Sequence, residues 1–309
     1  YGIMKKLISK LSHSKHFSLD IIATGSHISS KFGNTYKEIE KDGFKISKKI
    51  NILSDNDKNL DIIKSMSIAL TKISNAVKII NPDFTIILGD RYEAFISAQC
   101  CCLLQVPIAH IHGGEITEGA VDDVFRHSIT KMSQIHFVAS EEYRKRVIQL
   151  GENPTEVYNV GSLGVEGLVE FMDNNSVRRA SRTKRLFVIT YHPETYSLSN
   201  IAMQIENLLT ALDCFNDFEM VFTFPNADES NNKIIEKIQQ FINKEKKTRK
   251  LVKSLGQSKY WNLLSKASLV IGNSSSGIIE APVLKIPTIN IGDRQKGRLK
   301  ALSIIDTNY

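Results

Sequence analysis

Hydrophobic positions in this chain fall into short continuous runs, separated by longer stretches with helical spacing. Tyr1–Leu11 has a helical pattern, and Leu19–Gly25 (LDIIATG) reads as a buried strand ending in a glycine turn. Helices are expected near Thr35–Lys41 and over about Lys58–Ile80, the second stopping before Asn81-Pro82. Phe84–Leu88 (FTIIL) is apolar throughout, as parallel strands covered on both faces are. Strands at Pro107–Ile111, Ile135–Ala139 and Glu156–Val160 then alternate with helices at Ala94–Leu104, Asp122–Met132 and Glu141–Leu150.

A polar, basic stretch over residues 173–184 predicts a connection, after which the alternation restarts. Strands are expected at Arg185–Tyr191, Phe218–Phe224, Lys250–Lys253, Ser268–Gly272 and Thr288–Ile291. Between them lie helices at Asn200–Phe215, Lys233–Lys246, Tyr260–Ser265 and Gly277–Leu284. The expected fold class is α/β: two tandem Rossmann-like domains, residues 1–172 and 173–309, with a ligand cleft between the carboxyl ends of their sheets. The chain opens on a helix rather than a central strand, and residues 302–309 carry no closing helix. The expectation is therefore a chain truncated at both ends.

Composition changes this picture little. The 309 residues are 42% hydrophobic and 24% charged, which suits a globular protein and excludes fibrous or disordered classes. No run approaches the roughly 20 apolar residues that span a bilayer, so no membrane partner is expected. The net charge of +7 permits anionic ligands without choosing among them. The densest basic runs, Arg178–Arg185 and Lys244–Lys250, lack the interleaved aromatics of single-strand binders and read as solvated charge, so no nucleic-acid partner is expected. Four cysteines, three of them consecutive at 100–102, make neither a disulfide framework nor a zinc motif, and a reducing cytoplasmic location fits.

Four polar islands each follow a predicted strand. Gly89-Asp90-Arg91-Tyr92-Glu93 holds an acid and a base, either a surface ion pair or a carboxylate and guanidinium aimed at a ligand. His110-Ile111-His112-Gly113-Gly114-Glu115 leads on to Asp122-Asp123 and Arg126-His127. His110 and His112 at period two would share a strand face, and with Glu115 they form a loose metal constellation; no metal is expected. Asp122 stands at a helix start, where it caps or acts. His127 and His136 read as structural histidines. The third island, Tyr191-His192-Pro193-Glu194, puts a histidine at a strand end. The fourth, Gly272-Asn273-Ser274-Ser275-Ser276-Gly277, opens a helix carrying Glu280, an arrangement of N–H groups, hydroxyls and helix dipole that favours phosphate. Glu280 is suited to a ribose, and Gly292-Asp293-Arg294-Gln295 adds a cation. P-loop, nucleophile-elbow and nicotinamide motifs are absent. Carboxylates on one domain and a diphosphate cradle on the other suit a sugar nucleotide.

GDRYEA, HIHGGEITEGAVDDVFRHSITKMSQIHF, the HPE after a strand and GNSSSGIIEAP…TINIGDRQKGR, in this order, resemble the hydrolysing UDP-N-acetylglucosamine 2-epimerases. The similarity is to the bacterial branch making N-acetylmannosamine for sialic acid, and it runs over nearly the whole chain. It implies the two-Rossmann, glycosyltransferase-B-like fold, a UDP-sugar as small-molecule partner, a homo-oligomer and no cofactor. The implied reaction eliminates UDP to a glycal and rehydrates it with inversion at C2. By motif position, Asp90 and Asp122 resemble the acid/base carboxylates. Arg91, His192, Asn226, Ser274, Ser275, Glu280 and Arg294 resemble the nucleotide-contacting set, beside Asn273 and Gln295 of the same islands; His192 also belongs with the catalytic candidates. One departure stands out: HIHGGE replaces HIEGGE, so His112 or Glu115 takes the acid/base role, or the site is tuned to a related sugar. The family's opening phosphate loop with its arginine is absent. UDP-2,4-diacetamido-2,4,6-trideoxyglucose is the nearest rival substrate, and a non-catalytic UDP-sugar binder is the rival from another class.

Overall fold

The computed structural model describes residues 1–52, 59–118, 120–174, 185–193, 200–225, 231–253 and 255–309. Asn226, Glu194 and most of the expected connection lie outside the described residues. The chain forms two compact units, residues 1–115 with 121–163, and residues 116–120 with 164–309.

The first unit contains α1 (Lys5–Ser12), β1 (Ile22–Thr24), α2 (Tyr36–Lys41), β2 (Lys48–Ile50), α3 (Asn59–Ile80) and β3 (Thr85–Leu88). These are followed by α4 (Tyr92–Leu103), β4 (Ile108–Ile111), α5 (Asp122–Met132), β5 (Ile135–Val138), α6 (Glu141–Gln149) and β6 (Val157–Asn159). Strands β3, β4, β5 and β6 make a four-stranded sheet in that order, every pair parallel. β1 and β2 form a separate parallel pair. All four residues of β4 are buried, the polar His110 among them. Ile73, Ala76 and Val77 of α3 pack with Ile96 and Cys100 of α4 and with Ile87 and Ile108 of the sheet. Burying each large aliphatic side chain there stabilises the unit by about 1.5–3 kcal/mol.

The second unit begins with α7 (Leu163–Asn174) and continues through β7 (Leu186–Thr190), α8 (Ile201–Asp213), β8 (Glu219–Thr223), α9 (Asn231–Lys244) and β9 (Arg249–Val252). It ends with α10 (Gln257–Ser265), β10 (Leu269–Gly272), α11 (Ser275–Val283), β11 (Thr288–Ile291) and β12 (Ile304–Thr307). The parallel sheet has the order β12-β11-β10-β7-β8-β9, the doubly wound order expected of a Rossmann domain. Its central strand β7 divides its side chains by period two. Phe187 and Ile189 join Ile205 and Phe222 on one face, while Leu186 and Val188 join Leu168, Trp261 and Ala281 on the other.

Several features differ from the sequence expectation. α7 was not expected; it belongs to the second unit because Leu168 and Phe171 pack around Trp261, so the units divide before residue 173. β2 and β12 were also missed. Residues 302–309, of which the sequence reading said only that they carry no closing helix, supply an edge strand paired with β11. Among the described residues no helix is long and apolar enough to cross a membrane.

Candidate active site

In the first unit, parallel pairing of β3 with β4 brings the first two islands to one edge of the sheet. Gly89 ends β3 at φ +81°, in the left-handed region where glycine is strongly favoured, and turns the chain so that Asp90 and Arg91 precede α4. His110, the third residue of β4, is fully buried. Its Nε2 is 2.9 Å from the Gly89 carbonyl, and its Nδ1 is 3.2 Å from the Thr130 hydroxyl. A carbonyl only accepts, so Nε2 carries the proton. Burial lowers the imidazole to about 4, against the opposing pull of that carbonyl. Neutral His110 therefore holds the turn that presents Asp90.

Arg126 of α5 is the hub of this region and only 1% exposed. It donates to Asp90 Oδ2, to Asp123 Oδ1 at 3.0 Å and to the Glu115 carbonyl at 2.9 Å. Burial opposes its charge, but the carboxylates of Asp90, Glu115 and Asp123 outweigh burial and hold the guanidinium above its ordinary range. The two aspartates at the start of α5 thus diverge: Asp123 faces Arg126, and Asp122 lies 3.7 Å from Arg91 Nη1. Arg91, expected in the nucleotide set, also sits 3.9 Å from Glu93.

His112 does not share a strand face with His110. Strand β4 ends at Ile111, and His112 adopts φ +66°, which turns its ring out of the strand alternation. Its Nδ1 is 3.2 Å from Glu115 Oε1, both side chains are nearly buried, and its Nε2 is buried with no hydrogen-bond partner among the described residues. The intervening Gly114, at φ +79°, lies against the Tyr143 carbonyl, where a Cβ would collide. His110 has both nitrogens engaged, so the two histidines do not converge on a common point. Among the described residues no cluster of three or more His, Cys, Asp or Glu side chains could hold a metal. His136 is buried against Glu152 at 3.2 Å, as a structural histidine.

In the second unit the remaining islands meet where the strand order reverses, at the ends of β7 and β10. Asn273 clamps the backbone of His192: its Oδ1 accepts from the His192 N–H at 2.7 Å and its Nδ2 donates to the His192 carbonyl at 2.9 Å. Gln295 in turn donates to the Asn273 carbonyl at 2.8 Å. Both amides are fully buried and order the loops from within. Gly272, at φ +130°, passes so close to the Thr190 carbonyl that any Cβ would clash with it.

Ser274 caps α11, accepting from the Ser276 N–H at 3.3 Å; Ser275 is the first helical residue. A cavity of about 340 Å³ opens here, lined by Thr190, His192, Thr223, Lys253, Tyr260 and Ser276 among others. Hydroxyls, a helix N-terminus and one lysine make this cavity receptive to an anion. Tyr260 and Ser276 share a hydrogen bond of 2.7 Å. Glu280 accepts from Trp261 Nε1 at 2.8 Å, and desolvation raises its carboxyl above the usual range despite that donor. Arg294 is half-buried in the turn after β11.

Sequence reasoning missed the parts played by Arg126, Lys253 and Tyr260. A lone arginine on the inward face of α5 was the available signal for the first; nothing local marked the other two.

A family model described as "UDP-N-acetylglucosamine 2-epimerase" matches residues 9–309. A Campylobacter jejuni protein named GDP/UDP-N,N'-diacetylbacillosamine 2-epimerase (hydrolyzing) is 46% identical, over 99% of this chain and 80% of its own length. The polysialic acid biosynthesis protein P7 of Escherichia coli is 42% identical, over 99% and 79%. Among solved structures, a UDP-GlcNAc 2-epimerase from Methanocaldococcus jannaschii, in complex with UDP-GlcNAc and UDP, has the same fold. It superposes with a TM-score of 0.80 at 18% identity, covering 99% of this chain and 85% of that one.

Proposed function

The chain belongs to the UDP-N-acetylglucosamine 2-epimerase family and is an enzyme of the hydrolysing UDP-sugar 2-epimerase type; on that premise we propose that it acts on UDP-N,N'-diacetylbacillosamine, releasing UDP and the free sugar inverted at C2. The observation that carries the choice of sugar is the 46% identity to a relative named for the GDP- or UDP-linked form of that sugar. UDP-N-acetylglucosamine, giving N-acetylmannosamine, is the second reading, favoured by the 42% identity to a polysialic acid biosynthesis protein and by the motifs. The two sugars share the 2-acetamido group and the UDP leaving group, and differ at C4 and C6.

The chemistry suits the groups present. A C2–H is a very weak acid, so its removal accompanies departure of UDP from C1. The electron pair of the C–H bond becomes the C1=C2 double bond, and the C1–O pair leaves with UDP. Water then adds at C1 while C2 is reprotonated. Asp90, oriented by Arg126, is the carboxylate assigned to the sugar, with Asp122 beside Arg91. The serine-capped N-terminus of α11, His192 and Lys253 serve the diphosphate, whose growing charge such preorganised donors stabilise. Glu280, steadied by Trp261, serves the ribose.

Proton NMR of the full-length protein in D2O, with each UDP-sugar separately, tests this. Free UDP together with a C2-inverted sugar carrying deuterium at C2 is the expected result. UDP release with the sugar's configuration retained would replace the epimerase reading with plain hydrolysis, and the preferred sugar is the one with the larger kcat/KM.

A further inference from the structure

After Glu115 the chain leaves the first unit: residues 116–120 belong to the second, and Val121 rejoins the first one residue before Asp122. Both ends of this excursion are fixed. The Glu115 carbonyl accepts from Arg126, and Asp122 is the first residue of α5. Its middle is held by the turn after β11, residues 292–298, which also carries Arg294 and Gln295. The Glu118 N–H donates to the Lys296 carbonyl at 3.1 Å, and the partly buried Ile116 lies against Gly297. Gly297 adopts φ +87°, and a Cβ there would run into the Ile116 side chain and come to 3.4 Å from Glu118 Oε1. The ion pair of Lys296 with Glu118, at 3.4 Å, is more than half exposed on both sides and adds little. The backbone bond and the Ile116–Gly297 contact therefore tie the segment down, and Thr117 and Ala120 within it are buried.

The turn that holds this segment is itself part of the amide network of the anion cavity. Gln295 donates to the Asn273 carbonyl, and Asn273 clamps the backbone of His192. Hydrogen bonds and short lengths of backbone thus run from His192 to Glu118, four residues before Asp122. We infer that Gly297 and Ile116 form a positioning contact, by which the turn that carries Arg294 sets the placement of Asp122 for proton transfer; this rests on the epimerase reading above. Asp122 opens α5, and the first turn of a helix lacks intrahelical partners for its N–H groups, so it follows the loop that delivers it. Displacing a reacting group by about 1 Å costs on the order of 100-fold in rate. Position 297 requires glycine for two separate reasons: L residues are strained at its φ, and Ile116 fills the space a Cβ would need. The contact touches no substrate, so its loss lowers turnover rather than nucleotide binding.

The test uses the full-length protein, with UDP as the binding probe and whichever UDP-sugar it turns over. Gly297→Ala should lower kcat by about 100-fold while UDP affinity, by calorimetry, stays within about threefold. Ile116→Ala alone should cost less than about fivefold, and adding it to Gly297→Ala should regain about tenfold or more, since the smaller side chain makes room for the new Cβ. A Gly297→Ala enzyme within about threefold of wild type in kcat overturns the assignment. A UDP affinity that falls in step with kcat also overturns it, by making Gly297 part of the nucleotide site. A double variant no better than Gly297→Ala does the same, by making the loss one of general stability. Amide exchange of the wild type needs neither turnover nor a folded variant. There UDP should slow exchange at Glu118 by about fivefold or more, and an unchanged rate overturns the contact. Should the wild type release UDP from neither sugar, the epimerase reading falls and takes the role of Asp122 with it, while the exchange result still decides whether the turn holds the segment.

Discussion

In the first unit the residues after β3 and at the start of α5 set Asp90 and Asp123 against the buried Arg126, and the loop after β4 sets His112 against Glu115. In the second unit the loops after β7 and β10 are ordered by the neutral amides of Asn273 and Gln295, with hydroxyls around an open cavity. Buried charges are held rigidly by their partners, and removing one partner exposes the full desolvation penalty of the other. Neutral clamps carry a smaller penalty, about 1–3 kcal/mol for a stranded group, and leave N–H groups available to an anion that brings its own charge. The first arrangement suits proton transfer, which needs fixed geometry and tuned basicity. The second suits the holding of a diphosphate.

Four substitutions or conditions would break or sharpen this contrast. The largest effect belongs to Asp90→Asn, which should cut turnover by about 1000-fold while leaving UDP affinity within a factor of two by calorimetry. Comparable losses in both would merge the roles separated here. Next comes Arg126→Met, which takes the guanidinium away from Asp90, Asp123 and the Glu115 carbonyl. It should cost about 3 kcal/mol or more, read from urea midpoints, and a neutral outcome would deny that the charges depend on one another.

A third effect is set by pH. His110 is lowered from its ordinary value of 6.5 to about 4 by burial, so protons bind the unfolded state first. Its contribution is complete above pH 6.5 and is lost as pH falls toward 4, by about 3 kcal/mol in all. Amide exchange resolved by region should show the first unit weakening over this range, and His110→Gln should flatten the dependence. The smallest effect is expected for Asn273→Ala. It strands two backbone groups of His192 and should cost about 1–3 kcal/mol, seen as faster exchange of the His192 amide. A loss as large as that of Arg126→Met would remove the distinction between charged and neutral loops.

Much of the fold was legible because parallel strands covered on both faces must be apolar throughout. FTIIL, LFVIT and LVIG announce themselves, and helical spacing between them completes the α/β alternation. β12 was not legible, since a four-residue edge strand lacks that signature. Nor was α7, whose allegiance depends on Trp261, far along the chain. The site islands were visible as polar residues at strand ends, where side chains and backbone emerge from the sheet. Their pairings were not: that Asp122 faces Arg91 while its neighbour Asp123 faces Arg126 depends on how α5 packs against α4 and β4.

By itself the sequence determined the alternation of strands and helices, the family and the residue types available for chemistry, because these follow from local periodicity and from ordered motifs. Only the tertiary structure decided which groups share a proton or a charge. Hydrogen-bond reach is about 3 Å, and residues as far apart as Asp90 and Arg126, or His192 and Asn273, come within it only after the sheets have formed and the helices have packed on them.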